Sequence, residues 1–151
     1  MNTTPIFPTV VSWHFHGLFE MQIINSYGNR TVDFHSIGAL YGIYPPLLNA
    51  ARPPGQWQTY DIVYMGPRRG TDGKVTQPGT ITALLNGVLV QNHVEFREPV
   101  SPFAPLWRDK SPYVKEVRTD LMKTDIGPLQ LQDHEAAVRF RNIWIRRLDA
   151  K

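Results

Sequence analysis

Glu20 and His134 are the sharpest candidates for chemistry in this sequence. A carboxylate and an imidazole each exchange a proton near neutral pH, so the two together suit acid/base work. The plainer alternative is a polar sheet face on which both groups bond only to solvent. His134 lies in GPLQLQDHEAAVRFRNIWIRRL, residues 127–148. Strand side chains alternate between faces, which sets Leu129 and Leu131 on one side and Gln130 and Gln132 on the other. Asp133 and His134 follow at a turn, and Val138 and Phe140 restart an apolar face flanked by Arg139 and Arg141. Amides leading to a carboxylate and an imidazole, with arginines behind, fit a ligand rich in hydroxyl groups.

Glu20 itself falls in GLFEMQIIN, residues 17–25, the first clear strand pattern. Phe19, Met21 and Ile23 take one face, while Glu20 and Gln22 stand side by side on the other, about 7 Å apart. His14 and His16 form an H-x-H pair that could ligate a divalent ion with a third group, a weak signal without a second motif at diagnostic spacing. Trp13, Trp57, Trp107, Tyr27, Tyr41 and Tyr60 offer rings on which sugar C–H faces stack. Packing is the commoner fate of such residues, and Trp57, inside a strand pattern, reads as core. No G-x-S-x-G, P-loop or G-x-G-x-x-G motif is present.

Composition bounds the alternatives. With 151 residues, 42% hydrophobic and 19% charged, the chain is expected to be one domain spanning 1–151 with a substantial core. The formal charge of +3 is spread out except for the arginines of 139–147, so a nucleic-acid partner is not expected. Without cysteine there is no disulfide, thiolate metal site or cysteine nucleophile. MNTTPIFPTVV lacks the pattern of a signal peptide, and no apolar run approaches membrane-spanning length. Localisation stays open.

Thirteen prolines and eleven glycines cut the chain into short segments, the signature of many strands and few helices. Residues 1–16 read as an arm or a short strand. SYGNRT is a turn, IGALYGIY places glycines for close backbone approach, and Trp57–Met65 is a strand. GPRRGTDGKVTQPG reads as a long turn region with a tight turn at Asp72-Gly73. TITALL and VLVQNHVEF flank Asn86-Gly87, the pair a type I′ hairpin turn needs for its positive φ angles. Residues 97–126 form a proline-dotted excursion, within which Ser111 as N-cap, Pro112, Val114, Val117 and Leu121 predict a short helix. At the end, Val138 and Phe140 fall out of phase with Ile143 and Ile145. Either both faces are buried there, or a bulge near Arg141-Asn142 shifts the register.

GLFEMQIINSYGN, IGALYGIYPPLLNAARPPGQWQTYDIVY, LLNGVLVQNHVE and the closing GPLQLQDHEAAVRFRNIWIRRL together resemble the 3-keto-disaccharide hydrolase family, in order, over about residues 17–148. The resemblance implies an all-β fold: a concanavalin A-like jelly-roll β-sandwich of antiparallel strands, here with one short helix in a long loop. It also implies a 3-keto-glycoside as substrate and a ligand site on a concave sheet. On that reading Glu20 and His134 are the catalytic pair, and Gln22, Asn25, Tyr41, Gln130, Gln132, Asp133, Arg139 and Arg141 line the substrate. A divalent ion polarising the ketone is the alternative stabiliser; no cofactor is certain. The family's opening strands precede the Glu20 strand and have no counterpart here, which marks a truncated member. Exposed sheet edges would then need cover, from the 1–16 arm, the 97–126 excursion or a second copy, so a homodimer or larger homo-oligomer is expected. The alternative is a non-catalytic carbohydrate-binding or structural module.

Overall fold

In the computed structural model of the chain, the structure describes residues 11–12, 20–96, 130–131 and 137–148. These residues are all-β, with antiparallel pairing throughout and no helix among them. The helix expected near Ser111–Leu121 lies outside the described residues, as does the rest of the 97–126 excursion. Val11–Ser12 (β1) pairs with Gln130–Leu131 (β7), so the arm does form a short strand, with Val11 opposite Leu131 and Ser12 opposite Gln130.

The central sheet has the order β2-β5-β6, from Tyr60–Met65 (β2), Gly79–Leu85 (β5) and Val88–Phe96 (β6). Alternation decides its faces. Tyr60, Ile62 and Tyr64 of β2 lie opposite Leu85, Ala83 and Ile81 of β5, and these six turn inward, while Asp61, Val63 and Met65 are exposed. The strand starts three residues later than its pattern suggested. Before it, Arg52 Nη1 donates to the Trp57 carbonyl, the Thr59 N–H donates to Asn86 Oδ1, and the Thr59 carbonyl accepts the Asn86 N–H at 2.8 Å. The region around Asp72-Gly73 is a small hairpin rather than a long turn, Arg68–Arg69 (β3) against Val75–Gln77 (β4). Gly73 at φ 77° and the Lys74 N–H bonded to Asp72 Oδ1 close its tip.

The β5–β6 hairpin turns at Asn86 (φ 54°) and Gly87 (φ 81°), both left-handed, as the Asn-Gly pair requires. Asn86 also joins three segments, with Nδ2 donating to the Ala50 carbonyl and to Gln58 Oε1. Beyond the turn β6 leaves simple phase. Leu84 faces Leu89 but Ala83 faces Gln91, so Val90 is one residue extra; farther on, Asn92 and His93 together oppose Thr82. His93 takes φ 50°, and its N–H bonds Thr82 Oγ1. These are bulges, where one strand spends an additional residue and twists more strongly. As a result the consecutive residues Val90 and Gln91 are both buried, at 0% and 1% exposure.

A layer of turns from residues 20–51 lies over the inner face of this sheet. Its Met21, Ile37 and Leu40 join Ile81, Ala83, Leu85 and Val90 in the buried core. Gly38 shows how close the two layers come. A Cβ there would sit 3.2 Å from Val90 Cγ2, and its φ is +82°. The close approach expected of IGALYG is real. Residues 137–148, by contrast, belong to no strand and are mostly exposed. Neither expectation for that stretch, two buried faces or a bulged strand, describes it, although Asn142 at φ 54° turns the backbone where the phase breaks.

Candidate functional site

Glu20 stands on a two-chain ribbon rather than in a long strand. Among the described residues the expected 17–25 strand amounts to one isolated antiparallel bridge, Met21 opposite Leu40. The Gln22 N–H donates to the Ala39 carbonyl at 2.9 Å, and the Tyr41 N–H donates to the Glu20 carbonyl at 2.8 Å. Met21 and Leu40 point into the core, at 2% and 1% exposure. Because neighbours alternate, Glu20, Gln22 and Tyr41 occupy the opposite side, which they share with the fully buried Ala39. Glu20 and Tyr41 are directly opposed across the ribbon, a placement that brings Cβ atoms within about 5 Å. Electrostatics agree: burial first, and then the Glu20 charge, push the Tyr41 phenol above its ordinary pKa.

The surrounding turns hold this ribbon from behind. Tyr60 Oη donates to the Gln22 carbonyl at 2.8 Å, and burial pushes that phenol well above the usual tyrosine range. Buried Ser26 accepts the Ile37 N–H on its Oγ, while Asn49 Nδ2 donates to the Ser26 carbonyl. Gln91 Nε2 donates to the carbonyls of Gly38 at 2.8 Å and Pro45 at 3.1 Å, tying the segment that carries Tyr41 to β6. Each bond satisfies a backbone carbonyl or N–H that would otherwise cost free energy in the interior.

His35 adds an imidazole beside this face. Its ring meets Tyr41 edge-on, with centroids 5.3 Å apart and planes at 73°. Asp33 anchors the turn that presents it: Oδ1 accepts the His35 N–H at 2.9 Å and the Ser36 hydroxyl at 3.0 Å. Those bonds hold the Asp33 carboxyl below its ordinary pKa, the backbone bond contributing most. Asp33 Oδ2 also lies 4.0 Å from His35 Nδ1.

Of the residues nominated by sequence, the structure therefore gathers Glu20, Gln22 and Tyr41 on one side of the ribbon. Asn25 closes the following turn, its Oδ1 accepting the Tyr27 N–H. Arg139 is exposed, and the guanidinium of Arg141 lies over the Trp57 ring, 3.9 Å from its centroid. Trp57 is 41% exposed, so it is a surface platform and not the core residue its strand pattern suggested. Gln130 pairs through its backbone with Ser12. Gln132, Asp133 and His134 lie outside the described residues, as do His14 and His16. Among the described residues no three His, Cys, Asp or Glu side chains converge as a metal site. Among them, too, no helix is long and apolar enough to cross a membrane.

Ser26, Gln91 and His35 went unnoticed in the sequence as contributors to the site. His35 had a signal, since S-I-G-A-L-Y places it six residues before Tyr41 around a turn. Gln91 had none.

Among curated proteins none matches the chain. Among solved structures the chain is similar to a candidate glycosyl hydrolase from Parabacteroides distasonis ATCC 8503, with 32% identity and a TM-score of 0.53. The match covers 62% of this chain and 42% of that one, so the chain spans less than half the length of that protein. The fold is accordingly an antiparallel β-sandwich. A family model described as the 3-keto-alpha-glucoside-1,2-lyase-like domain matches residues 11–146, nearly the whole sequence. The chain belongs to the 3-keto-alpha-glucoside-1,2-lyase-like domain family.

Proposed function

We propose that the chain is a carbohydrate-active domain that cleaves a glycosidic bond next to a 3-keto sugar by acid/base elimination, with Glu20 and His134 as the proton-moving pair. The observation that carries this reading is the placement of Glu20: a carboxylate on the side of a ribbon opposite its Met21–Leu40 core face, facing Tyr41 and flanked by Gln22. Family membership and the likeness to a candidate glycosyl hydrolase support the substrate class.

The chemistry needs few parts. A ketone at C3 acidifies the hydrogen on C2. A base takes that proton, and the electron pair of the C–H bond moves into an enolate. When the ketone re-forms, the pair shifts to make a C1–C2 double bond and expels the oxygen on C1, which takes a proton from the acid. Either Glu20 or His134 serves as the base and the other as the acid, while Gln132, Arg139 or Arg141 contact the sugar oxygens. A divalent ion on the ketone is the alternative to side-chain donors. In Glu20→Gln and His134→Ala variants, cleavage of a 3-keto-glucoside should fall by about 10²-fold or more. Unchanged rates would remove both residues from the mechanism.

A second reading rests on Trp57. A half-exposed indole beside arginine is a sugar-stacking surface that needs no catalysis. Binding of a 3-keto-glucoside without any turnover by the unaltered chain would favour it.

A further inference from the structure

The ribbon places a second proton-bearing group directly across from Glu20, and elimination has a use for one. As the C2 proton leaves, negative charge gathers on the oxygen attached to C3, the neighbouring ring carbon. The base and the group that steadies this oxygen must therefore be neighbours themselves. We propose that Tyr41 is the catalytic hydrogen-bond donor to that oxygen, and that His35 is the positioning residue that fixes its ring; the assignment rests on the keto-glycoside reading above.

Three observations support it. The Tyr41 N–H bonds the Glu20 carbonyl at 2.8 Å, which sets the two side chains on the same side of the ribbon. The His35 ring meets Tyr41 edge-on at 5.3 Å and 73°, an arrangement in which a positive ring edge meets a negative ring face. His35 is presented by a turn stitched through Asp33 Oδ1, which accepts both the His35 N–H and the Ser36 hydroxyl. Among the described residues, Glu20, His35 and, behind His35, Asp33 are charged or titratable groups around Tyr41. Burial and the Glu20 charge both oppose loss of the phenol proton, so Tyr41 remains a neutral donor while Glu20 acts as a carboxylate. The donor works by meeting charge that exists only in the transition state, the condition under which such a bond accelerates a reaction.

The step balances without a further reagent. The C2–H bond breaks, its proton goes to a carboxylate or imidazole, and its electron pair becomes the enolate whose oxygen accepts the Tyr41 hydrogen bond. Tyr41 keeps its proton when the ketone re-forms.

The test follows a methyl 3-keto-glucoside in deuterium oxide, reading both deuterium entry at C2 and release of methanol. Tyr41→Phe keeps the ring and removes only the hydroxyl. It should slow both readouts by about 10²-fold with little change in KM. His35→Ala should lower kcat, and His35→Phe, which retains a ring edge, should restore most of it. Tyr41→Phe rates within about two-fold of the unaltered chain overturn the donor assignment alone. Equal damage from His35→Phe and His35→Ala overturns the positioning role. If the unaltered chain neither exchanges nor cleaves, the keto-glycoside reading itself fails and takes the Tyr41 assignment with it.

Discussion

Asp33 is the described residue whose acid behaviour the structure fixes most directly. Its carboxyl accepts the His35 N–H and the Ser36 hydroxyl, which lowers its pKa below the ordinary 3.8. A lowered folded-state value means that the unfolded chain binds the proton more readily. The contribution of Asp33 to stability is therefore present above pH 3.8 and is lost as the pH falls through the folded value. Urea midpoints measured across that acidic window should decline less steeply for Asp33→Asn than for the unaltered chain; parallel slopes would remove Asp33 as a cause. Residues of this kind are readable in sequence when a local turn determines them. D-F-H-S is such a stretch, and Glu20 with Gln22 likewise follow from simple alternation. Gln91 is different. Counted from the Asn86-Gly87 turn, it should oppose Thr82 and face outward, and only the additional residue at Val90 turns it in toward Gly38 and Pro45.

At the scale of elements, the β5–β6 hairpin is the piece whose sequence and structure agree most closely, because the turn chemistry at Asn86-Gly87 admits few alternatives. Asn86 carries more than the turn, since its side chain accepts from Thr59 and donates to Ala50 and Gln58. Asn86→Ala should cost about 2–3 kcal/mol, from two or more lost bonds and a strained left-handed residue, read from denaturant unfolding. Asn86→Gly, which relieves the φ but not the bonds, should recover only part. In the first three residues of the Trp57–Met65 pattern, which fall outside the strand, the side chains of Arg52 and Asn86 take the Trp57 carbonyl and the Thr59 N–H. Competition of that sort is invisible to a count of alternating residues. The β3–β4 hairpin was hidden in the opposite way, since glycine and charge masked two very short runs capable of pairing.

For the whole molecule, the stretch 137–148 bears on association. Phe140, Ile143, Trp144, Ile145 and Leu148 are between 38% and 73% exposed, a run of large apolar side chains at the surface. We propose that a second copy of the chain covers it. Light scattering at micromolar concentration should return a dimer or larger assembly, and Trp144→Glu should shift it toward monomer; a monomeric unaltered chain would contradict the proposal. Sequence reading assigned these residues to a strand with both faces buried or with a bulge, because in-and-out alternation carries no information about whether a neighbouring strand exists to pair with.

The seam at Gly38 has a bearing on how this protein can vary. Two separate demands meet at that position: a backbone angle of +82°, and a tight gap in which a Cβ would lie 3.2 Å from Val90 Cγ2. Trimming Val90 to alanine would remove Cγ2 but keep the Cβ 3.3 Å from a methyl group at 38, and it would leave the angle untouched, at a penalty of about 1–2 kcal/mol. Gly38→Ala combined with Val90→Ala should therefore remain less stable than Val90→Ala alone by about that margin. Randomised libraries selected for folding should return to glycine at 38 whatever they admit at 90.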